Sequence, residues 1–227
     1  MRMLVQFKKD DLVRHLGLLD LQRTIQRALR RSGLPIRYSN GFNPHMVMNF
    51  ASALSAGIPG DAEVLDVALN GEVTQEECLE AFNRVVPPSL RASRVRIVDD
   101  SFPKAGAALQ QAQYLIGLHG KEGLKAAQAV ERFLAQEEIM ALRKTKRSES
   151  MVNIRPMIHE MTVHDGADEN KTQMTVRVSF VEAATLKPEL LLDSLCSFAG
   201  AEKPKSEIRR TCLLGVVNGQ AVPLMDM

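Results

Sequence analysis

The run Thr74-Gln75-Glu76-Glu77-Cys78-Leu79-Glu80-Ala81-Phe82-Asn83-Arg84-Val85-Val86-Pro87-Pro88 carries both ends of a helix. Thr74 followed three residues on by Glu77 is a capping box, and Pro87-Pro88 stops the helix. Cys78, Phe82, Val85 and Val86 recur at helical spacing and mark the apolar face. On either side lie strand patterns, Glu63-Val64-Leu65-Asp66-Val67-Ala68-Leu69 before it and Val95-Arg96-Ile97-Val98 after it. Further upstream, Met3-Leu4-Val5-Gln6-Phe7 reads as a buried strand. A helix then carries Leu21, Ile25, Ala28 and Leu29, with Asp20 as its N-cap and Gly33 and Pro35 closing it. With residues 46–50 as a short strand, the order is strand-helix-strand-strand-helix-strand, the split βαβ or ferredoxin-like unit.

Residues 99–111 carry linker chemistry, after which the order starts again. Tyr114–His119, Ile139–Lys144, Met157–His164, Met174–Val181 and Ile208–Leu214 read as strands. Gly123–Gln136 and a segment opened by Pro188 and closed by Gly200 read as helices. The expectation is an α+β protein of two tandem ferredoxin-like (βαββαβ) units, residues 1–100 and 111–227, with antiparallel sheets and helices on one face. The second half has one strand candidate too many, around residues 139–164. The repeat is one of element order, not of residue identity.

The 227 residues are 45% apolar, enough for a real core, and carry a formal net charge of +2. No apolar run is long enough to span a membrane, and the N-terminus lacks the apolar region of a signal peptide. Three cysteines, Cys78, Cys196 and Cys212, do not form a disulfide framework and point to a reducing, cytoplasmic setting. Each falls on an apolar helix face or a buried strand, a poor place for a nucleophile. Without a Cys-x-x-Cys pair, and with His159 and His164 on a strand, no metal site is expected. Ser52–Gly60 is rich in small residues, but it lacks the lysine and ordered glycines of a phosphate loop. No cofactor is expected.

Charge is unevenly spread. Residues 1–45 hold nine basic and three acidic residues, a net of +6; residues 46–100 carry −5; residues 143–155 carry +4. Arg23, Arg27, Arg30 and Arg31 form a stripe opposite the apolar face of the first helix, and no carboxylate at i±4 relieves them. Phosphate is the common partner of such a stripe, because a guanidinium grips it with two hydrogen bonds. Lys144, Lys146 and Arg147, with Arg155 beside them, form a second basic run. The alternative is a solvated helix face. Aromatic residues make up only 4% with no Trp, so extensive base stacking is not indicated.

Tyr38-Ser39-Asn40-Gly41-Phe42-Asn43-Pro44-His45 is the densest polar turn cluster. Asn43 and His45 could orient a ligand, and His45 is the one candidate acid/base. The alternative is a structural loop whose side chains cap nearby backbone.

Leu18-Leu19-Asp20-Leu21-Gln22-Arg23, Ala28-Leu29-Arg30-Arg31-Ser32-Gly33-Leu34-Pro35 and Tyr38–His45 resemble the bacterial radical-SAM-linked protein family, a domain of unknown function. Phe50–Glu63 and Ile154-Arg155-Pro156 resemble further blocks of it. The resemblance implies a partner, a B12-binding radical S-adenosylmethionine enzyme that family members are fused to or encoded beside. This chain lacks the Cys-x3-Cys-x2-Cys motif of the radical enzyme itself. It also departs from the family pattern. Leu18 stands where a His is usual, Met46-Val47 where Pro-Lys is usual, and Asn153 where an Asp is usual. The loss of three polar or ionisable positions favours binding over catalysis.

Three functions follow as expectations. The first is a non-catalytic RNA-binding or substrate-presenting accessory protein working with a radical SAM enzyme in RNA modification or processing. The second is an RNA-cleaving or RNA-modifying enzyme using His45. The third is a protein–protein adaptor docking through the acidic segment 61–80 or an apolar patch, without nucleic acid.

Overall fold

The computed structural model describes every residue except 145–148, 169 and 182–183. The fold is α+β, mostly antiparallel in its strand pairing, with six α-helices among the described residues. Contacts group the chain into two compact units, residues 1–110 together with 210–227, and residues 111–209.

In the first unit the order is β1 (Arg2–Lys9), α1 (Leu18–Ser32), β2 (Met48–Phe50), β3 (Gly60–Ala68), α2 (Gln75–Val85), β4 (Ala92–Val98) and α3 (Ala105–Ala108). β1 lies between β4 and β3, β2 adds to β3, and these pairings are all antiparallel. Met3, Val5 and Phe7 of β1 alternate onto one face with Leu65 and Val67 of β3. There they meet Leu21, Ile25, Ala28 and Leu29 of α1 and Cys78 and Phe82 of α2. Each large apolar side chain so buried contributes roughly 1.5–3 kcal/mol.

Both ends of α2 match the sequence. Thr74 accepts from the Glu77 N–H, and Glu77 accepts from the Thr74 N–H. α1 starts earlier than expected. Gly17, not Asp20, is its N-cap, and Asp20 sits in the first turn, where its charge still suits the positive end of the helix. Gly33 closes α1 at a φ of +79°, a left-handed conformation that favours glycine.

Charged groups are also buried here. Arg2 is fully buried and donates to Asp66 Oδ2 at 2.5 Å and to the Phe102 carbonyl. The Ala105 N–H donates to the same Asp66 oxygen at 3.1 Å. The stretch expected to be a linker therefore holds a structured piece, α3, with Ala105 and Ala108 buried. Buried Arg210 makes a two-point pair with Glu63, at 2.8 and 2.5 Å.

The second unit runs β5 (Gln111–His119), α4 (Gly120–Gln128), α5 (Val130–Leu134), β6 (Met140–Lys144), β7 (Glu149–Asn153), β8 (Ile158–Asp168), β9 (Lys171–Ser179) and α6 (Pro188–Ala199). β9 pairs antiparallel with both β5 and β8. The surplus strand resolves into a separate antiparallel hairpin of β6 and β7. The single helix expected over 123–136 is two, broken at Ala129. Leu191, Leu192 and Leu195 of α6 and Phe133 of α5 are buried, and Phe133 meets Phe198 edge-on at 5.5 Å.

β10 (Ser206–Val217) leads the chain back to the first unit. There it turns through Asn218 and Gly219, both at positive φ, into β11 (Gln220–Pro223). Residues 210–227, expected in the second unit, thus pack with the first; Leu224 and Met225 are buried and Arg210 holds Glu63.

Candidate nucleic-acid interface

The segment that follows α1 comes back beside the start of β1. The chain stays there: Ile36 bridges Leu69, whose N–H donates to the Met1 carbonyl at 3.0 Å. The loop 38–45 springs from this end of the unit. Its base is closed by an antiparallel bridge between Tyr38 and Met46 and by the Ser39 N–H donating to the His45 carbonyl at 2.8 Å. The Ser39 hydroxyl accepts from the His45 N–H at 3.1 Å and shares a 2.8 Å hydrogen bond with His45 Nδ1. Gly41 turns the tip at a φ of +120°. Asn40, Asn43 and His45 are exposed, and neither asparagine side chain has a hydrogen bond within the chain among the described residues. Arg37, just before the loop, forks onto Asp100 at 3.1 and 3.3 Å. That fork, aided by the Met1 amino group, holds the Asp100 carboxyl well below the usual carboxylate range.

The α1 arginines are exposed, but they are not equivalent. Arg23 has Asp20 one turn back at 3.7 Å, so the stripe has one carboxylate beside it, at i−3. Arg31 donates to the Val85 carbonyl at 2.9 Å, tying α1 to the end of α2. Arg27 and Arg30 have no ion pair or hydrogen bond among the described residues.

The second basic run lies in the other unit. Lys144 pairs with Glu149 at 3.0 Å across the β6–β7 hairpin. Arg155 donates to the Leu134 carbonyl at 2.9 Å and to the Ile158 carbonyl at 3.4 Å, a clasp within the fold. Arg143 likewise donates to the Thr185 carbonyl at 2.7 Å. Lys146 and Arg147 lie outside the described residues.

The acidic segment is less acidic outside than its sequence suggests, because Glu63 and Asp66 are buried against arginines. Burial pushes the Cys78 thiol up to about 11 and raises those of Cys196 and Cys212, which suits packing rather than nucleophilic chemistry. No described group of three His, Cys, Asp or Glu could hold a metal ion, and no described helix is long and apolar enough to cross a membrane. Phe42 was not among the expected site residues. Its exposure is invisible to composition, which counts aromatics without saying which the fold leaves out.

Residues 2–188 match the model of a family described as an uncharacterized protein conserved in bacteria (DUF2344). The chain belongs to that family. No protein of curated function matches it.

Proposed function

We propose that this family member is a non-catalytic, cytoplasmic accessory protein that binds RNA and presents it to a radical S-adenosylmethionine enzyme. The observation that carries the RNA reading is the pair Arg27 and Arg30, exposed and without an ion pair or hydrogen bond among the described residues, on the helix that precedes the polar loop 38–45. Like-charged guanidiniums without a carboxylate partner gain most from a phosphate chain. Arg23, Arg27 and Arg30 take the phosphates, and Asn43 and His45 orient a base or ribose. The partner enzyme rests on the resemblance carried by residues 18–23, 28–35 and 38–45. The antiparallel order β4-β1-β3-β2 supports reading the first unit as ferredoxin-like, although such folds serve many functions. Among the described residues His45 is held by the Ser39 hydroxyl rather than by a carboxylate, which favours binding over turnover.

The test is fluorescence anisotropy with structured RNA across a salt series. Binding should weaken steeply from low to physiological salt. Affinity independent of salt, or no binding at low salt, overturns the reading. Co-purification of the native protein with its partner, with and without nuclease, separates RNA-dependent association from direct docking.

A further inference from the structure

Phe42 is fully exposed, so no neighbour among the described residues covers its ring. A phenyl side chain has some 150–250 Å² to bury, and at this position the fold buries none of it. The loop that carries the ring is closed at its base. The Tyr38–Met46 bridge and the Ser39–His45 hydrogen bonds close the loop beneath it, Gly41 turns the chain, and Pro44 stiffens the return. An aromatic side chain left wholly uncovered on a loop closed at its base has no packing role in the fold, and its exposure is accounted for by a ligand. The surroundings say which ligand. A stable protein interface buries roughly 1,200 Å² or more around a contiguous apolar core, and one ring set among Asn40, Asn43 and His45 is not such a core. An unpaired nucleobase needs one flat apolar face, amide donors and acceptors for its edge, and cations for its phosphates. The loop supplies the first two, and Arg27 and Arg30 on the preceding helix supply the third.

We infer that Phe42 is a stacking platform for one unpaired base of the RNA, with Asn40 and Asn43 at that base's edge. This rests on the RNA reading above and narrows it to RNA with an unstacked nucleotide.

The chain has no tryptophan, so Phe42→Trp installs a single fluorophore at the site. The probes are a labelled RNA hairpin with an unpaired loop and a blunt RNA duplex of equal phosphate count. The expected result is that Phe42→Ala weakens hairpin binding about tenfold and leaves duplex binding unchanged, while the fluorescence of Phe42→Trp is quenched saturably by the hairpin alone. Phe42→Leu, apolar but without a π face, should behave as Phe42→Ala. Salt-sensitive hairpin binding that is indifferent to Phe42→Ala, or a fluorophore that ignores RNA and responds only to a co-purified protein, overturns the stacking assignment and leaves the RNA reading standing. A wild-type protein that binds neither probe overturns both. The ring makes no packing contact, so the variants should fold as the wild type does, checked by Tm.

Discussion

Glu63 serves three neighbours at once. It accepts two hydrogen bonds from Arg210, lies within electrostatic reach of Lys9, and covers the backbone of Gly60. Lys9 is almost fully buried and donates to the Arg14 carbonyl at 2.8 Å. Removing Glu63 takes the two-point carboxylate from buried Arg210 and a nearby negative charge from buried Lys9, so Glu63→Leu should cost about 3–5 kcal/mol, measured by urea denaturation. The Glu63→Leu/Arg210→Met double variant should recover part of that loss, since it also removes the buried guanidinium that Glu63 pairs with. Gly60→Ala tests the same cluster by shape. A Cβ there falls 2.5 Å from Glu63 Oε1, and displacing that carboxylate should cost about 1–3 kcal/mol. Burial, reinforced by Arg210 and opposed by Glu63, lowers the Lys9 pKa from its ordinary value. The unfolded chain then binds the proton more tightly, so this residue makes stability rise as pH climbs from the lowered pKa toward the ordinary lysine value. Lys9→Met should flatten that alkaline rise. None of these pairs was legible in the sequence, where Glu63 and Asp66 counted simply as part of an acidic stretch. Alternation along β3 shows which residues share a face, but Glu63 and Arg210 meet across 147 positions of chain.

At the scale of elements, local signals were the readable ones. The α2 capping box sits within four residues, and Thr74→Ala should cost about 1 kcal/mol of stability in thermal or urea melts. The start of α1 was misread because Asp20 has N-cap chemistry, whereas glycine fills that position through its backbone alone. The β10–β11 hairpin went unread although Asn218-Gly219 is a strong two-residue turn signal. β7 went unread because Glu149-Ser150-Met151-Val152-Asn153 is short and polar. The loop 38–45 depends on its anchors in the same local way. Asp100 has its folded pKa depressed by Arg37, so the contribution of this pair is present above the ordinary carboxylate range. It is lost as pH falls from about 4 toward the depressed value. Asp100→Asn should imitate acid at neutral pH. Amide exchange at Ser39 and Val47 should quicken while Tm moves little, because the pair is largely exposed. Unchanged exchange would show that the backbone bridges hold the loop unaided.

For the whole molecule, a net charge of +2 conceals how unequally the cations of the first 45 residues are available to a ligand. Arg2, Lys9 and Arg210 are buried with Glu63 and Asp66, and Arg37 is held by Asp100. Arg31 and Arg155 give hydrogen bonds to backbone carbonyls. What remains of the +6 seen in residues 1–45 is concentrated on α1, and within it Arg27 and Arg30 are the cations without internal partners among the described residues. That division makes opposite predictions for residues alike in sequence. Replacing Arg27 and Arg30 together with Gln should leave Tm unchanged and lower RNA affinity. It should also reduce the slope of log affinity against log salt by about 1.4–1.8, the release expected from two phosphate contacts. Replacing Arg31 with Gln removes the donor to Val85 and should lower Tm with a smaller change in slope, because that guanidinium is already engaged. A slope that survives the Arg27/Arg30 replacement intact would move the phosphate contacts off α1 altogether, and with them the reason for placing the RNA beside the Phe42 loop.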